Sequence, residues 1–210
     1  MTRRQLLPLV ALILLSAIAS YLLQNTRPLG RNAAESASAA RILEDQGSPE
    51  TVRGNGNLTV VMFTDYQCSA CRKADPALRR AVARDGNVRV VYKDWPILGE
   101  RSERAATVAL AAHRQGIYPS VHRQLMKSPS LDDTALRNAV EGAGGDWEQV
   151  EADLLTHGPA IANQLAANRL DAFALVLQGT PSYLIGPLLV EGALTEREFL
   201  RAFEQARSDT

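Results

Sequence analysis

Two short β-branched runs, Leu58 to Asp65 and Val88 to Asp94, constrain this chain most, because the stretch between them is rich in helix formers. Apolar runs of this length, bounded by turn residues such as Gly54-Asn55-Gly56-Asn57, read as buried strands. Strand, helix and strand at this spacing make a βαβ unit with parallel strands and a right-handed crossover. Pro76 lies inside the helix and is expected to kink it.

The only 2 cysteines among 210 residues, Cys68 and Cys71, follow the first strand as Cys-Ser-Ala-Cys. Ala70, Arg72, Lys73, Ala74 and Ala77 favour helix from Ser69 on, which puts Cys68 at a helix N-terminus. The free N–H groups and positive end of a helix stabilise a thiolate, the reactive form of cysteine, and Arg72 and Lys73 would add to that field. A lone Cys-x-x-C motif serves metal sites as well as redox centres. His113, His122 and His157 are scattered without ligand spacing and read as structural, so no metal site is expected. Trp95 and Trp147 read as core aromatics.

Lys+Arg and Asp+Glu both count 23, so charge gives no reason to expect a nucleic-acid partner. The N-terminus says more. Thr2-Arg3-Arg4 precedes an apolar run from Leu6 to Leu23, so residues 1–23 read as a signal peptide or signal anchor, with the anchor favoured. Ala17-Ile18-Ala19 offers a cleavage site, and Arg3-Arg4 is a weak twin-arginine pattern. Either reading takes the rest of the chain out of the cytosol, to the periplasm or the outer face of the cell membrane. Residues 24–43 are polar and small and read as a linker or stalk, in which Ser36 to Leu43 can coil into a helix.

Beyond Trp95-Pro96 the pattern is helical from about 101 to 177. Tyr118, Val121 and Leu125 share a face, Ser130 with Asp133 and Asp146 with Gln149 read as N-terminal caps, and Gly142-Ala-Gly-Gly145 and His157-Gly158 read as breaks. Ser182 to Ile185 and Leu188 to Glu191, joined by Gly186-Pro187, read as a hairpin, and Thr195 with Glu198 opens a last helix. The order β-α-β, helical block, β-β-α is that of an α/β thioredoxin-like fold with a helical insertion, occupying residues 44–210.

Four separated segments resemble the DsbA-like family of extracytoplasmic thiol:disulfide oxidoreductases: Phe63-Thr-Asp-Tyr-Gln-Cys-Ser-Ala-Cys71, Tyr92-Lys-Asp-Trp-Pro-Ile-Leu-Gly99, Gly179-Thr-Pro-Ser-Tyr183 and Gly192-Ala193. The resemblance implies that Cys68 is the nucleophile and Cys71 the buried resolving thiol. It also implies a cis Thr180-Pro181 bond beside them, with the Thr180 backbone free to pair with a substrate strand. One departure stands out: the buried acid that thioredoxin-like domains often carry six positions before the first cysteine is Met62 here. Its absence predicts a more oxidising centre, and Asp65 and Lys93 become candidates for supporting proton transfer, Asp65 more readily as a turn residue.

The resulting expectation is a protein dithiol–disulfide oxidoreductase that needs no cofactor beyond its own Cys68–Cys71 disulfide. Its partners would be cysteine-containing exported polypeptides, a redox protein that resets the pair, and the membrane through the N-terminal segment. The oxidase direction is favoured over reductase or isomerase action, and a redox-inactive peptide- or copper-binding module is the reading from another class.

Overall fold

The computed structural model describes residues 12, 13, 15, 16 and 29–209. The signal or anchor expected over 1–23 otherwise lies outside the described residues, among which no helix is long and apolar enough to cross a membrane.

The βαβ unit forms as the pattern predicts. Strand β3 (Leu58–Thr64) lies parallel to β4 (Val88–Asp94), and α2 (Ser69–Asp85) crosses between them. The left-handed Gly86 (φ 82°) ends α2, a backbone conformation that glycine adopts without steric cost. Helix α2 is continuous through Pro76. The hairpin β5 (Ser182–Ile185) and β6 (Leu188–Glu191) joins antiparallel to β3, with Tyr183 opposite Met62.

Two further strands extend the edges. Strand β1 (Arg31–Asn32) pairs with β6 and β2 (Glu50–Val52) with β4, giving the order β1-β6-β5-β3-β4-β2. Part of the stretch expected to be a linker, 24–43, is therefore folded. Besides β1 it contains α1 (Ala37–Leu43), capped by Ser36, whose buried Ala39 and Ile42 pack on the sheet. The helix expected over Ser36 to Leu43 thus forms, and polar composition concealed only its docking, because so short a helix needs just two apolar residues to pack.

Both faces of the sheet are covered, which is why β3 and β4 read as continuous apolar runs rather than alternating ones. On the front face Val60, Met62, Val90, Tyr92 and Tyr183 meet α2 and the last helix, α7 (Glu196–Ser208), whose Thr195–Glu198 capping box is present. On the rear face Val61, Phe63, Val91 and Leu184 meet α1 and the end of the long helix Trp147–Ala174.

The insertion comprises α3 (Glu100–His113), α4 (Tyr118–Lys127), α5 (Asp133–Glu141) and α6 (Trp147–Ala174). Two local expectations are corrected. Asp132, not Ser130, caps α5, accepting the Ala135 N–H at 2.8 Å, while Ser130 donates to its other oxygen. There is also no break at His157-Gly158, since α6 passes through Pro159. The carbonyl deprived of a donor there belongs to Leu155, which is 87% exposed, so water can satisfy it.

Candidate active site

Cys68 is the cap of the helix it precedes. Its backbone is extended (φ −68°, ψ 114°), and its Sγ accepts the Cys71 N–H at 3.3 Å and donates to the Thr180 carbonyl at 3.3 Å. The thiol is 9% exposed and Cys71 is 2% exposed, so the first sulfur borders the surface and the second lies behind it. Burial pushes the Cys71 thiol up to about 12, a shift that its neighbours only partly offset. The two cysteines are unbridged and adjacent.

Pro181 follows a cis Thr180–Pro181 bond, and Ser182 Oγ ties the loop back to the Gly179 carbonyl at 2.6 Å. The Thr180 N–H makes no hydrogen bond among the described residues, so that edge can pair with an extended chain.

Of the supporting residues, Asp65 is placed by the end of β3 but fully committed. Its Oδ1 accepts from Gln67 N at 2.7 Å and Ser102 Oγ at 2.6 Å, and its Oδ2 from Ile97 N at 2.8 Å and Leu98 N at 3.0 Å. It is a knot joining three segments, as a turn residue would be. Lys93 is not brought to the site. Strand alternation turns it to the rear face, where its Nζ pairs with Asp45 and, at 3.0 Å, with Asp171. Arg72 spends its guanidinium on the Tyr66 carbonyl at 2.7 Å and on the Ser128 carbonyl, and Lys73 is exposed.

Met62 is buried opposite Tyr92 and Tyr183, so no carboxylate occupies that position. Titratable groups do lie on the same face, in a cluster that the sequence reading left out. Asp75, Tyr66, Tyr118, His122 and Asp94 are all buried there. Tyr118 donates to Asp94 Oδ1 at 2.9 Å, Tyr66 donates to Tyr118 at 3.3 Å, and Tyr66 Oη lies 3.1 Å from His122 Nδ1. Burial raises the Asp94 carboxyl to about 6, whereas Asp75, although burial opposes it, is held below its usual range by His122 and Arg79. The signal available in the sequence was Asp75 itself, a carboxylate four residues after Cys71 on the otherwise apolar stripe of Ala74, Ala77 and Leu78. Among the described residues no group of three or more His, Cys, Asp or Glu is arranged to hold a metal ion.

Comparison with known proteins agrees with this geometry. A thioredoxin-like oxidoreductase structure from Silicibacter pomeroyi DSS-3 superposes with a TM-score of 0.74 at 35% identity, covering 80% of this chain and 96% of that one. A probable disulfide bond formation protein D from Bacillus anthracis is 27% identical over 67% of this chain and 68% of its own length. The Na(+)/H(+) antiporter NhaA 1 of Mycolicibacterium vanbaalenii is 25% identical over 74% of this chain, which spans only 26% of that protein. The family model for the DSBA-like thioredoxin domain matches residues 59–204, so the chain belongs to the DSBA-like thioredoxin-domain family.

Proposed function

We propose that this chain is an extracytoplasmic protein dithiol–disulfide oxidoreductase that works in the oxidase direction, with Cys68 as nucleophile and Cys71 as resolving thiol. The observation that carries the reading is the position of Cys68 Sγ, at a helix N-terminus and 3.3 Å from the Thr180 carbonyl, with Cys71 buried behind it.

In the oxidised enzyme a substrate thiolate attacks Cys68 Sγ. The Cys68–Cys71 bond breaks, its electron pair stays on Cys71, and that sulfur takes up a proton. A second substrate thiolate then attacks the substrate sulfur of the mixed disulfide and expels Cys68 as a thiolate, leaving the substrate oxidised and the enzyme reduced by two electrons. The substrate strand is held along the free edge of Thr180, and Pro181 packs beside the exchange. A redox partner protein takes the two electrons and restores the disulfide.

Two features favour oxidation of substrates. Cys68 Sγ sits at the N-terminus of α2 and accepts the Cys71 N–H, and the apolar Met62 puts no negative charge beside the pair. A site without a buried carboxylate at that position favours the reduced pair and so a higher potential. The apolar segment after Arg3-Arg4 supports delivery outside the cytosol and anchoring by residues 6–23. The match to the antiporters covers a quarter of their length, and no transport step belongs to this chain's proposed role.

The test is the reduction potential of the Cys68/Cys71 couple together with Cys68→Ser. The expected potential is nearer about −120 mV than about −270 mV, and a value at the lower end would reverse the assigned direction. Cys68→Ser is expected to abolish turnover of a disulfide substrate; retained turnover would remove Cys68 as nucleophile.

A further inference from the structure

Cys71 needs a proton when it leaves the disulfide, yet the position that would carry a buried acid is Met62. The same face of the sheet holds a continuous set of titratable side chains running from α2 to the end of β4. We propose that Asp75, His122, Tyr66, Tyr118 and Asp94 form a buried proton wire that serves Cys71 in place of an acid at position 62. The proposal rests on the disulfide-exchange reading.

The geometry gives the wire two polarities. In the first, Tyr118 donates to Asp94 (2.9 Å), Tyr66 donates to Tyr118 (3.3 Å) and His122 Nδ1–H donates to Tyr66 (3.1 Å). His122 Nε2 then faces Asp75 Oδ1 at 3.4 Å, which is favourable only if Nε2 is protonated too, making an imidazolium between two carboxylates. In the second, every bond is reversed: Asp94 carries the proton, each tyrosine donates toward His122, and a neutral imidazole keeps Nε2–H toward Asp75. The two states hold the same number of protons and differ only in whether His122 or Asp94 has the mobile one. Asp94, with a carboxyl near 6, is a group that can take it.

Two of the four buried side-chain atoms without a hydrogen-bond partner among the described residues belong to this path, Asp94 Oδ2 and His122 Nε2; the others are Tyr183 Oη and Thr64 Oγ1. An unsatisfied buried polar atom costs stability and calls for a reason. Asp94 Oδ2 lies at one end of the path, and His122 Nε2 faces Asp75, the other end, at 3.4 Å. Asp75 is one helical turn beyond Cys71 on the same face of α2, and helical side chains lean back toward the N-terminus. Tyr183 is within electrostatic reach of both, since Cys71 and Asp75 each disfavour its phenolate. On its other side Asp75 lines a cavity of about 310 Å³ with Thr51, Arg79, Tyr92 and Arg123, which gives solvent a way to refill the wire.

The groups facing His122 come from every element packed around it. They are Asp75 of α2, itself paired with Arg79, Tyr66 after β3, Tyr92 and Asp94 of β4, and Tyr118 of its own helix, with Asp65 adding its charge to Asp94. Oxidation of a substrate dithiol then proceeds as follows. The electron pair of the broken Cys68–Cys71 bond stays on Cys71, a proton passes to it through Asp75, and His122 or Asp94 makes up the loss before water restores it. These five are positioning residues, acting on Cys71 without contacting the substrate.

The experiment measures single-turnover oxidation of a two-cysteine peptide from pH 5 to 9 for wild type, His122→Gln and Tyr66→Phe. Cys68 alkylation rates and thermal midpoints are recorded alongside. Tyr66→Phe keeps the ring and removes only the hydroxyl, so it decides the matter if His122→Gln does not fold. Both variants are expected to slow Cys71 release about ten- to a hundredfold at pH 7, with Cys68 alkylation unchanged. The gap should narrow toward pH 5, where solvent protons substitute for the wire. Profiles parallel to wild type, with only a lower thermal midpoint, would mean that the cluster is structural and overturn the proposal. A wild-type chain that performs no exchange at all would instead remove the oxidoreductase reading on which it stands.

Discussion

Lys93 and Asp94 are neighbours in β4, equally buried at 2% and 1% exposure, and they belong to opposite kinds of charged cluster. On the rear face Lys93 Nζ lies between the carboxylates of Asp45 and Asp171, and those carboxylates are held in turn by Ser48, Gly47 N–H and Arg41. None of these side-chain atoms is among the buried atoms without a partner. On the front face Asp94, Tyr118, Tyr66, His122 and Asp75 leave Asp94 Oδ2 without a hydrogen bond and His122 Nε2 with only a 3.4 Å contact to Asp75. A saturated buried network fixes one arrangement, whereas an under-satisfied one can hold its proton in more than one place. The rear cluster fastens the N-terminal segment and α6 to the sheet; the front cluster sits beside the thiols.

Lys93→Met should show the largest effect on stability. It keeps most of the stem's volume and removes the charge, leaving the buried Asp171 carboxylate facing the half-buried Asp45 with only the exposed Arg41 beside it, a change that costs on the order of 3–5 kcal/mol. Chemical denaturation should register that loss, with the pH dependence of exchange unaltered. A small loss would mean that the rear cluster is not what distinguishes the faces. Acid should act in the same direction: Lys93 and the Ser48–Gly47 turn hold Asp45 at about 2, against the burial that opposes them. That contribution is present above the ordinary carboxylate range and is lost as pH falls toward 2.

Asp94→Asn should act with the opposite sign. The folded chain raises this carboxyl from 3.8 to about 6, so the folded state binds the proton more tightly than the unfolded state. Stability from this group is present below about pH 4 and is lost as pH rises to about 6. Asparagine still accepts from Tyr118 and carries no charge, so the variant should be more stable at pH 7, by at most about 3 kcal/mol. Its stability should also lack the decline between pH 4 and 6. Equal pH dependence in variant and wild type would place the buried charge elsewhere in the cluster.

How far the sequence went follows from the same two residues. Periodicity, capping patterns and the Cys68–Cys71 spacing disclosed β3, α2, β4, the hairpin and the last helix because those signals are local. The β3–β5 pairing that sets Tyr183 beside Met62, and the ion pairs of Lys93 with Asp45 and Asp171, join residues far apart in the chain, so no spacing announces them. Lys93 was readable in part: strand alternation sends it away from the face of Met62 and Tyr92 and puts Asp94 on that face instead. Asp75 was readable too, as a carboxylate on the buried stripe of α2. The pairing of Tyr118 and His122, one helical turn apart, gained meaning only once α4 lay against Tyr66.

Arg41→Ala tests whether closeness or burial gives the rear cluster its strength, and it should have the smallest effect. Arg41 Nη2 reaches Asp171 Oδ1 at 2.7 Å, a shorter distance than the 3.0 Å from Lys93 to the same carboxylate. Distance alone would rank it first. Yet the Arg41 side chain is 63% exposed, against 3% for Lys93, so water competes for the guanidinium and replaces it when it is removed. Asp171 also keeps Lys93 on its other oxygen and is not left as an unpaired buried charge. The expected loss is within about 1 kcal/mol, shrinking further in high salt, as exposed ion pairs do. A loss comparable to that of Lys93→Met would mean that the solvent side of the cluster holds α1 in place, and that burial of Lys93 is a consequence of that docking rather than its cause.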